Sequence, residues 1–179
     1  IDADSKLIVS YFVGDRSGES ARTILCDLQH RLANRVQLTT DGYIVYMRAV
    51  HEAVGNDIDY AMLDKIYGTS PKPRSAEARY SPPPVVGTKT RCCSGKPDPK
   101  HISTSYAERS NLSLRMHNRR FTRLTNAFSK RVQSHIHMVA LYAMFFNFCR
   151  IHKTLRVTPA MEARLTARVW TFEDILAKL

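Results

Sequence analysis

The chain has 179 residues, with 27 lysines and arginines against 16 aspartates and glutamates, and its formal charge at pH 7 is +11. Hydrophobic residues make up 44% and charged residues 24% of the chain, which excludes intrinsic disorder and low-complexity fibres as its main character. The longest apolar stretch, Met138 to Phe146, is far shorter than the roughly 18 residues that span a bilayer. We therefore expect a cytoplasmic protein without a membrane partner.

The positive charge is concentrated in the C-terminal part of the chain. Residues 1–70 carry a net charge of −3, residues 71–100 a net +5 and residues 101–179 a net +9. Lysines and arginines that bind phosphates release counterions, so this asymmetry is typical of a protein that faces a polyanion from one side. A basic surface that only contacts solvent would show the same pattern, and charge alone does not separate the two.

The first part of the chain predicts alternating strands and helices, an order typical of a layered sheet covered by helices. Residues 6–13 are β-branched and aromatic and end at Gly14, which predicts a strand. A helix with one apolar face follows, and either Ser17 or Ser20 is its expected N-cap. The next elements are a strand over 35–40, a helix over 43–54 that ends at Gly55, and a strand or mixed segment over 58–67.

Residues 69–100 contain seven of the eight prolines and seven of the 27 basic residues, and they predict a long basic loop in which only 85–92 could form a short strand. Four helices are expected after the loop. The second is nearly all apolar, so we expect it to be buried on most sides. The helices are predicted over 104–120, over 135–148, from Thr158-Pro159 to Arg168, and after a capping box of Thr171 and Asp174.

The cysteines and most histidines show no pattern of a metal site. The four cysteines include the adjacent pair Cys92-Cys93 but no C-x-x-C pair, which argues against structural zinc. Cys26 and Cys149 lie in apolar helical patterns, and we interpret them as small buried side chains. His135 and His137, on the apolar helix, are interpreted as structural.

Two carboxylates stand where a catalytic site could be built. Asp41 follows a short apolar strand, and an α/β sheet binds ligands at the carboxyl ends of its strands. Glu108 shares a predicted helix face with Arg115 and Arg119, an arrangement that suits a metal ion beside a chain of phosphates. Asp41 could equally be an ordinary turn residue, and Glu108 an ordinary surface residue near a helix N-terminus.

A third candidate is the stretch from Phe146 to Ala160, which carries Asn147, Arg150 and His152 out of the apolar helix. No acidic residue stands near His152 in the sequence. We therefore interpret His152 as a packing or phosphate-contact residue rather than a general base.

Five phrases of the sequence occur in the order found in one protein family. The chain resembles bacterial DDE transposases of the insertion-sequence-one type, and the resemblance covers nearly its whole length. In that family the first catalytic aspartate precedes the segment that opens this chain, so the resemblance implies an N-terminally truncated chain with little or no strand-transfer activity. The phrases are residues 1–7, 38–42, 104–112, 119–130 and 147–159.

The resemblance implies a ribonuclease H-like α/β fold, in which flanking helices cover a layered sheet and a helical part ends the chain. It also implies that Asp41 and Glu108 are catalytic carboxylates that bind Mg²⁺ or Mn²⁺ for cleavage and transfer of DNA strands. The implied segments are 1–68 as the N-terminal part of the core, 69–102 as a basic Pro-rich insertion, 103–157 as the helices that complete the core, and 158–179 as a helical tail.

The expected partner is DNA, both the element ends and the target, and a homo-oligomer is compatible with the resemblance. Two alternatives stay open: a non-catalytic DNA-binding remnant of such an enzyme, and a basic RNA-binding protein. The residues expected to contact nucleic acid are Arg109, Asn111, Arg115, Arg119, Arg120, Arg123, Lys130, Arg150, His152 and Lys153.

Overall fold

The computed structural model describes residues 1–68, 83–121 and 126–178 and shows a mixed α/β protein. Its described residues form one three-stranded sheet and six α-helices. The chain divides into two compact units. One unit is Arg16–Thr104, which holds the sheet, and the other combines Ile1–Asp15 with Ser105–Leu179.

Two helices of the unit Arg16–Thr104 lie where the sequence predicts helices. Helix α1 spans Gly18–Arg31, and its N-cap Ser17 accepts a hydrogen bond from the Ser20 amide at 3.2 Å. Helix α2 spans Val45–Val54 and ends at Gly55, whose φ of 68° lies in the left-handed region that glycine adopts without steric cost. These helix predictions are confirmed, with α2 two residues shorter than expected.

The sheet consists of β1 over Gln37–Asp41, β2 over Asp59–Tyr67 and β3 over Val85–Ser94, in the order β1-β2-β3. Strands β1 and β2 are parallel, with α2 in the connection between them, and β2 and β3 are antiparallel. The strands predicted over 35–40 and 58–67 are therefore confirmed. The short strand allowed over 85–92 is present, and it is longer than expected.

The core of this unit lies between one face of the sheet and helices α1 and α2. Leu25 and Val50 of the helices are 4% and 2% exposed, and Tyr60 and Met62 of β2 are each 1% exposed. Burial of one such side chain stabilises the fold by about 1.5–3 kcal/mol. The apolar spacing that predicted α1 therefore corresponds to the side on which the helix packs.

Asp59 connects the beginnings of β1 and β2 to the end of β3. Its Oδ1 accepts hydrogen bonds from Arg35 Nη2 and from the Lys96 amide, both at 2.8 Å. The turn before Lys96 contains Gly95 with φ 66°, where a Cβ would lie 2.1 Å from Asp59 Oδ1, so only glycine fits. The hydrogen bonds from Arg35 and Lys96 lower the pKa of Asp59 to about 2. The stabilisation is present above the ordinary pKa of aspartate and is lost as the pH falls towards 2.

The second unit contains four α-helices among its described residues. Helix α3 spans Ser105–His117, α4 spans Val132–Met144 and continues into a π-helical turn over Phe145–Cys149, α5 spans Pro159–Glu162, and α6 spans Phe172–Leu176. The Thr158 N-cap with Pro159 and the capping box of Thr171 and Asp174 are confirmed. None of the described helices combines the length and apolar character needed to cross a membrane.

Helix α5 is much shorter than predicted, because the chain reverses after Glu162. Arg164 has a φ of 58°, and the Leu165 amide donates to the Ala160 carbonyl at 2.8 Å. The Arg164 amide donates to the Met161 carbonyl at 3.0 Å, which completes a Schellman-type helix end. The prediction that this helix continues to Arg168 is wrong.

The apolar helix predicted over 135–148 is buried or half-buried at all but two of these residues, His137 and Leu141. Val139, Tyr142 and Ala143 of α4 are buried, whereas Leu141 is 47% exposed and Val132, which precedes the predicted range, is 72% exposed. The buried side chains are spaced three and four residues apart, which corresponds to one helix face.

The predicted strand over 6–13 is absent from the described structure. Its main chain pairs with a side chain instead of a second strand: the Ile8 amide donates to Asn147 Oδ1 at 2.9 Å, and Asn147 Nδ2 donates to the Ile8 carbonyl at 3.0 Å. Asn147 is buried in the π-helical turn, where the Arg150 amide donates to the Phe145 carbonyl at 3.0 Å. The residues had the composition of a strand, but no ladder partner is present for them in the part described.

Replacing Asn147 tests how much this side chain contributes to stability. Asn147→Ala removes both hydrogen bonds and leaves the Ile8 amide and carbonyl without them, so we expect the free energy of unfolding to fall by about 2–4 kcal/mol. Asn126→Ala, at an exposed position, should change it by less than about 0.5 kcal/mol. Urea denaturation of both variants measures the difference, and equal stabilities would contradict the assigned role.

Candidate carboxylates and nucleic-acid interface

Asp41 is exposed at the carboxyl end of β1, where the sequence predicted a ligand-binding position. The register pairs it with Leu63 of β2, so β1 ends at this point while β2 continues to Tyr67. Asp41 Oδ1 also accepts a hydrogen bond from the Tyr43 amide at 3.3 Å, which is the turn-forming role considered as the alternative. The structure therefore shows a carboxylate that shapes a turn and is accessible at the strand edge.

A second carboxylate at the same edge was missed by sequence reasoning. Asp64 comes one position after Leu63, and its carboxylate lies against Gly42, which follows Asp41. A Cβ on Gly42 would lie 1.3 Å from Asp64 Oδ1, so the absence of a side chain there makes room for the carboxylate. The sequence contained one signal, an acidic residue within a strand of otherwise mostly apolar residues, but only the parallel register brings Asp64 next to Gly42.

Glu108 lies exposed in the first turn of α3, as the sequence predicted. A carboxylate in this position interacts favourably with the positive end of the helix dipole. Asp41 belongs to the unit Arg16–Thr104, and Glu108 belongs to the unit formed by Ile1–Asp15 and Ser105–Leu179. Among the described residues there is no group of three or more histidine, cysteine, aspartate or glutamate side chains arranged to hold a metal ion.

The predicted row of basic residues on the Glu108 helix is correct for Arg115 and wrong for Arg119. Helix α3 ends at His117, where the Asn118 side chain donates to the Leu114 carbonyl at 3.1 Å. Arg119 therefore lies in a separate 3₁₀ turn over Arg119–Phe121 and does not continue the face of α3. Arg109, Asn111 and Arg115 are exposed on α3.

Four further predicted contact residues lie at the surface or outside the described residues. Arg120 and Lys130 are exposed, and Arg120 Nη1 donates to Ser129 Oγ at 3.0 Å. Lys153 is exposed after the π-helical turn, whereas Arg123 lies outside the residues that the structure describes.

His135, which the sequence analysis interprets as structural, makes two contacts with neighbouring side chains. Its Nδ1 is hydrogen-bonded to Ser129 Oγ at 3.1 Å, and its ring contacts the Phe121 ring edge to face. Both contacts agree with a structural role.

Arg150 is held in place by His117, a residue that sequence reasoning did not select. His117 Nδ1 lies 2.6 Å from the Ser113 carbonyl oxygen, and Arg150 Nη1 lies 2.7 Å from Nε2 and 3.0 Å from Nδ1 of the same ring. The imidazole also stacks on Tyr142 of α4, with ring centroids 6.4 Å apart. No sequence pattern pointed to this contact, since the two residues are 33 positions apart.

His152 lies near positive charge and has a buried ring nitrogen. Its Nδ1 is inaccessible to solvent and has no hydrogen-bond partner in the described part of the chain. Burial lowers the pKa of His152, and the charges of Lys6, Arg150 and Arg109 lower it further. Lys6 was not among the predicted contact residues.

Comparisons with protein-family models, with curated proteins and with solved structures found no match to this chain.

Because Gly42 and Asp64 approach each other closely, we expect substitutions at the two positions to have non-additive effects on the free energy of unfolding. Gly42→Ala forces the Asp64 side chain to move and should lower the free energy of unfolding by about 1–3 kcal/mol. Combining it with Asp64→Ala should remove most of that loss, which a double-mutant cycle in urea would reveal.

Gly18→Ala is the control for this cycle, because its new Cβ would meet only a Val45 methyl group at the ordinary distance of 3.6 Å. This change should not couple to Asp64→Ala. A Gly42→Ala loss that is unaffected by Asp64→Ala would contradict the proposed contact.

Proposed function

We propose that this chain is the catalytic region of a DDE-type DNA transposase with a ribonuclease H-like fold, which cleaves and joins DNA strands when an insertion sequence moves. The observation that carries the proposal is Asp41, an exposed carboxylate at the carboxyl end of the parallel strand β1 in an α/β unit. Glu108 supports it, because it precedes Arg109 and Arg115 on an exposed basic helix. The resemblance of the sequence to the transposase family implies the same two residues as catalytic carboxylates.

The two proposed ligands have the right chemistry for Mg²⁺ or Mn²⁺, which prefer carboxylate oxygens. Such an ion, when bound, supplies a hydroxide nucleophile and stabilises the leaving 3′ oxygen. Asp41 and Glu108 would bind it. The arginines of α3 and the residues after α4 would bind and orient the DNA backbone, a role for which guanidinium groups are suited by their paired donors.

A non-catalytic DNA-binding protein is the second candidate, favoured by one observation. Asp41 Oδ1 already accepts a hydrogen bond from the Tyr43 amide, at 3.3 Å. In this case the basic surface binds DNA, while the carboxylates stabilise a turn and a helix N-terminus.

Cleavage assays on the product of the entire reading frame separate the two candidates. With element-end DNA and Mg²⁺, we expect Asp41→Asn and Glu108→Gln each to lower the cleavage rate by more than about 100-fold, since loss of even an outer-shell partner costs 10–100-fold. Asp57→Asn and Glu162→Gln, at exposed positions, should leave cleavage unchanged. Cleavage that is undiminished in the Asp41 and Glu108 variants would exclude the enzyme.

The salt dependence of DNA binding tests the basic surface independently of catalysis. The logarithm of the DNA-binding constant falls linearly with the logarithm of the salt concentration. If Arg115 contacts one phosphate, Arg115→Gln should make this slope less steep by about 0.9. Arg31→Gln is the matched control, because Arg31 Nε is paired with Asp27 Oδ2 at 2.8 Å in the near-neutral part of the chain. A clear preference for structured RNA over duplex DNA in the same titrations would favour the RNA-binding alternative.

A further inference from the structure

The nucleic-acid contacts predicted from the sequence lie outside the unit that contains Asp41. They belong to the unit formed by Ile1–Asp15 and Ser105–Leu179, whereas Asp41 belongs to Arg16–Thr104. A DNA strand that reaches Asp41 meets a carboxylate with a charge of the same sign as its phosphates. A fixed positive charge close to Asp41 would offset this repulsion. Arg16 supplies such a charge.

Arg16 is connected to Asp41 through one residue, Tyr43. The guanidinium carbon of Arg16 lies 4.4 Å from the centroid of the Tyr43 ring, a cation–π contact, and the Tyr43 hydroxyl donates to the Arg16 carbonyl at 2.9 Å. The Tyr43 amide donates to Asp41 Oδ1 at 3.3 Å. The main chain of Tyr43 therefore contacts the carboxylate, while its side chain contacts Arg16. Sequence spacing did not indicate this contact, because Tyr43 is 27 positions from Arg16.

The Tyr43 ring is supported from the core of the unit. It meets the Tyr46 ring edge to face, with the ring centroids 5.7 Å apart and the planes at 88°, and Tyr46 packs against the buried core. Burial raises the pKa of Tyr46, the charge of Asp41 raises it further, and the charge of Arg16 lowers it. These opposite effects on one hydroxyl agree with the contacts that join Arg16 and Asp41 to Tyr43.

The contact with Tyr43 leaves the Arg16 guanidinium able to bind a phosphate. A cation–π contact provides no acceptor for the five N–H donors of a guanidinium. The Arg16 side chain is exposed, so a ligand in solution can reach it. An arginine that is already held in one position loses less side-chain freedom on binding, and its paired donors match two oxygens of one phosphate.

We infer that Arg16 binds one phosphate of a DNA strand beside the carboxyl end of β1, and that Tyr43 is the positioning residue that holds the guanidinium there. The inference rests on the proposed function, because it takes DNA as the partner and Asp41 as the place that the strand reaches. It requires neither a bound metal ion nor strand cleavage. DNA binding measured without metal therefore tests it separately from the enzyme proposal.

NMR of the arginine Nε–H groups of the full chain, without divalent metal, tests the contact directly. The Arg16 signal is the one that disappears in Arg16→Lys. A short duplex DNA of arbitrary sequence should shift this signal as binding saturates, because the donors gain a phosphate acceptor. The signal of Arg22, an exposed arginine on α1 of the same unit, should not shift.

Affinity measurements separate a phosphate contact from a purely structural role. Arg16→Gln should weaken DNA binding by about 10-fold, the loss of one hydrogen bond between charged groups, and should make the salt dependence of binding less steep by about 0.9. Arg22→Gln is the matched control and should change neither quantity.

Two variants at position 43 test the positioning role of the tyrosine. Tyr43→Leu removes the ring that holds the guanidinium and should weaken DNA binding by about 3-fold. Tyr43→Phe keeps the ring and loses only the hydroxyl, so it should retain most of the affinity and the DNA-induced shift of the Arg16 signal. Equal losses in the two variants would contradict the role of the ring.

Three results would overturn the phosphate contact itself. One is saturation with DNA that leaves the Arg16 signal unchanged. Another is an affinity that Arg16→Gln leaves unchanged, as expected if an acidic neighbour such as Glu19 already neutralises Arg16, or that Arg22→Gln lowers equally. The third is an Arg16 signal that responds to inorganic phosphate but not to DNA, which would assign the position to a free anion. If Tyr43→Leu fails to fold, the Arg16 variants and the wild-type titration still decide the question.

Discussion

The parallel pairing of β1 with β2 is the constraint on which the sheet-bearing unit depends. Two parallel strands cannot be joined by a tight turn, so the chain must cross over through α2, and this helix then covers the sheet. Asp59 holds the beginning of the pair through Arg35 and the end of β3 through Lys96. With Gln37 aligned to Asp59, the register places Asp64 of β2 beside Gly42, directly after the end of β1 at Asp41.

The Asn147 side chain has a comparable role in the other unit. Its amide has one donor and one acceptor in the geometry that a neighbouring strand would offer, and it uses both on Ile8. The same side chain thereby connects the N-terminal turn that contains Lys6 to the π-helical turn that leads to Arg150 and His152. A buried amide of this kind allows an extended segment to be held without a sheet.

Charge and burial have different distributions in the two units. The unit with the sheet buries Tyr60 and Met62 and exposes Asp41 at the end of β1, whereas the other exposes arginines along α3. The proposed function uses this distribution, because it assigns DNA binding to the arginines and metal binding to the carboxylates.

The sequence by itself determined the features that depend on hydrogen bonds within a few residues. Thr158 and Thr171 cap their helices as predicted, as does Ser17, one of two N-caps that the sequence allowed, because such a cap needs only a side chain and an amide three positions away. Gly55 ends α2 because glycine adopts a positive φ without steric cost. The positions of Asp41 at a strand end and of Glu108 in a first helical turn were predictable for the same reason.

Only the tertiary structure decided features that require distant partners. Residues 6–13 have strand-forming side chains, yet their main chain bonds to Asn147, which is 139 positions away from Ile8. Register brought Asp64 to Gly42, and folding brought Arg150 to His117, 33 positions away. A strand, a pair of adjacent carboxylate positions and a contact between distant side chains are each defined by neighbours in space, and composition and spacing along the chain do not specify which neighbours those are.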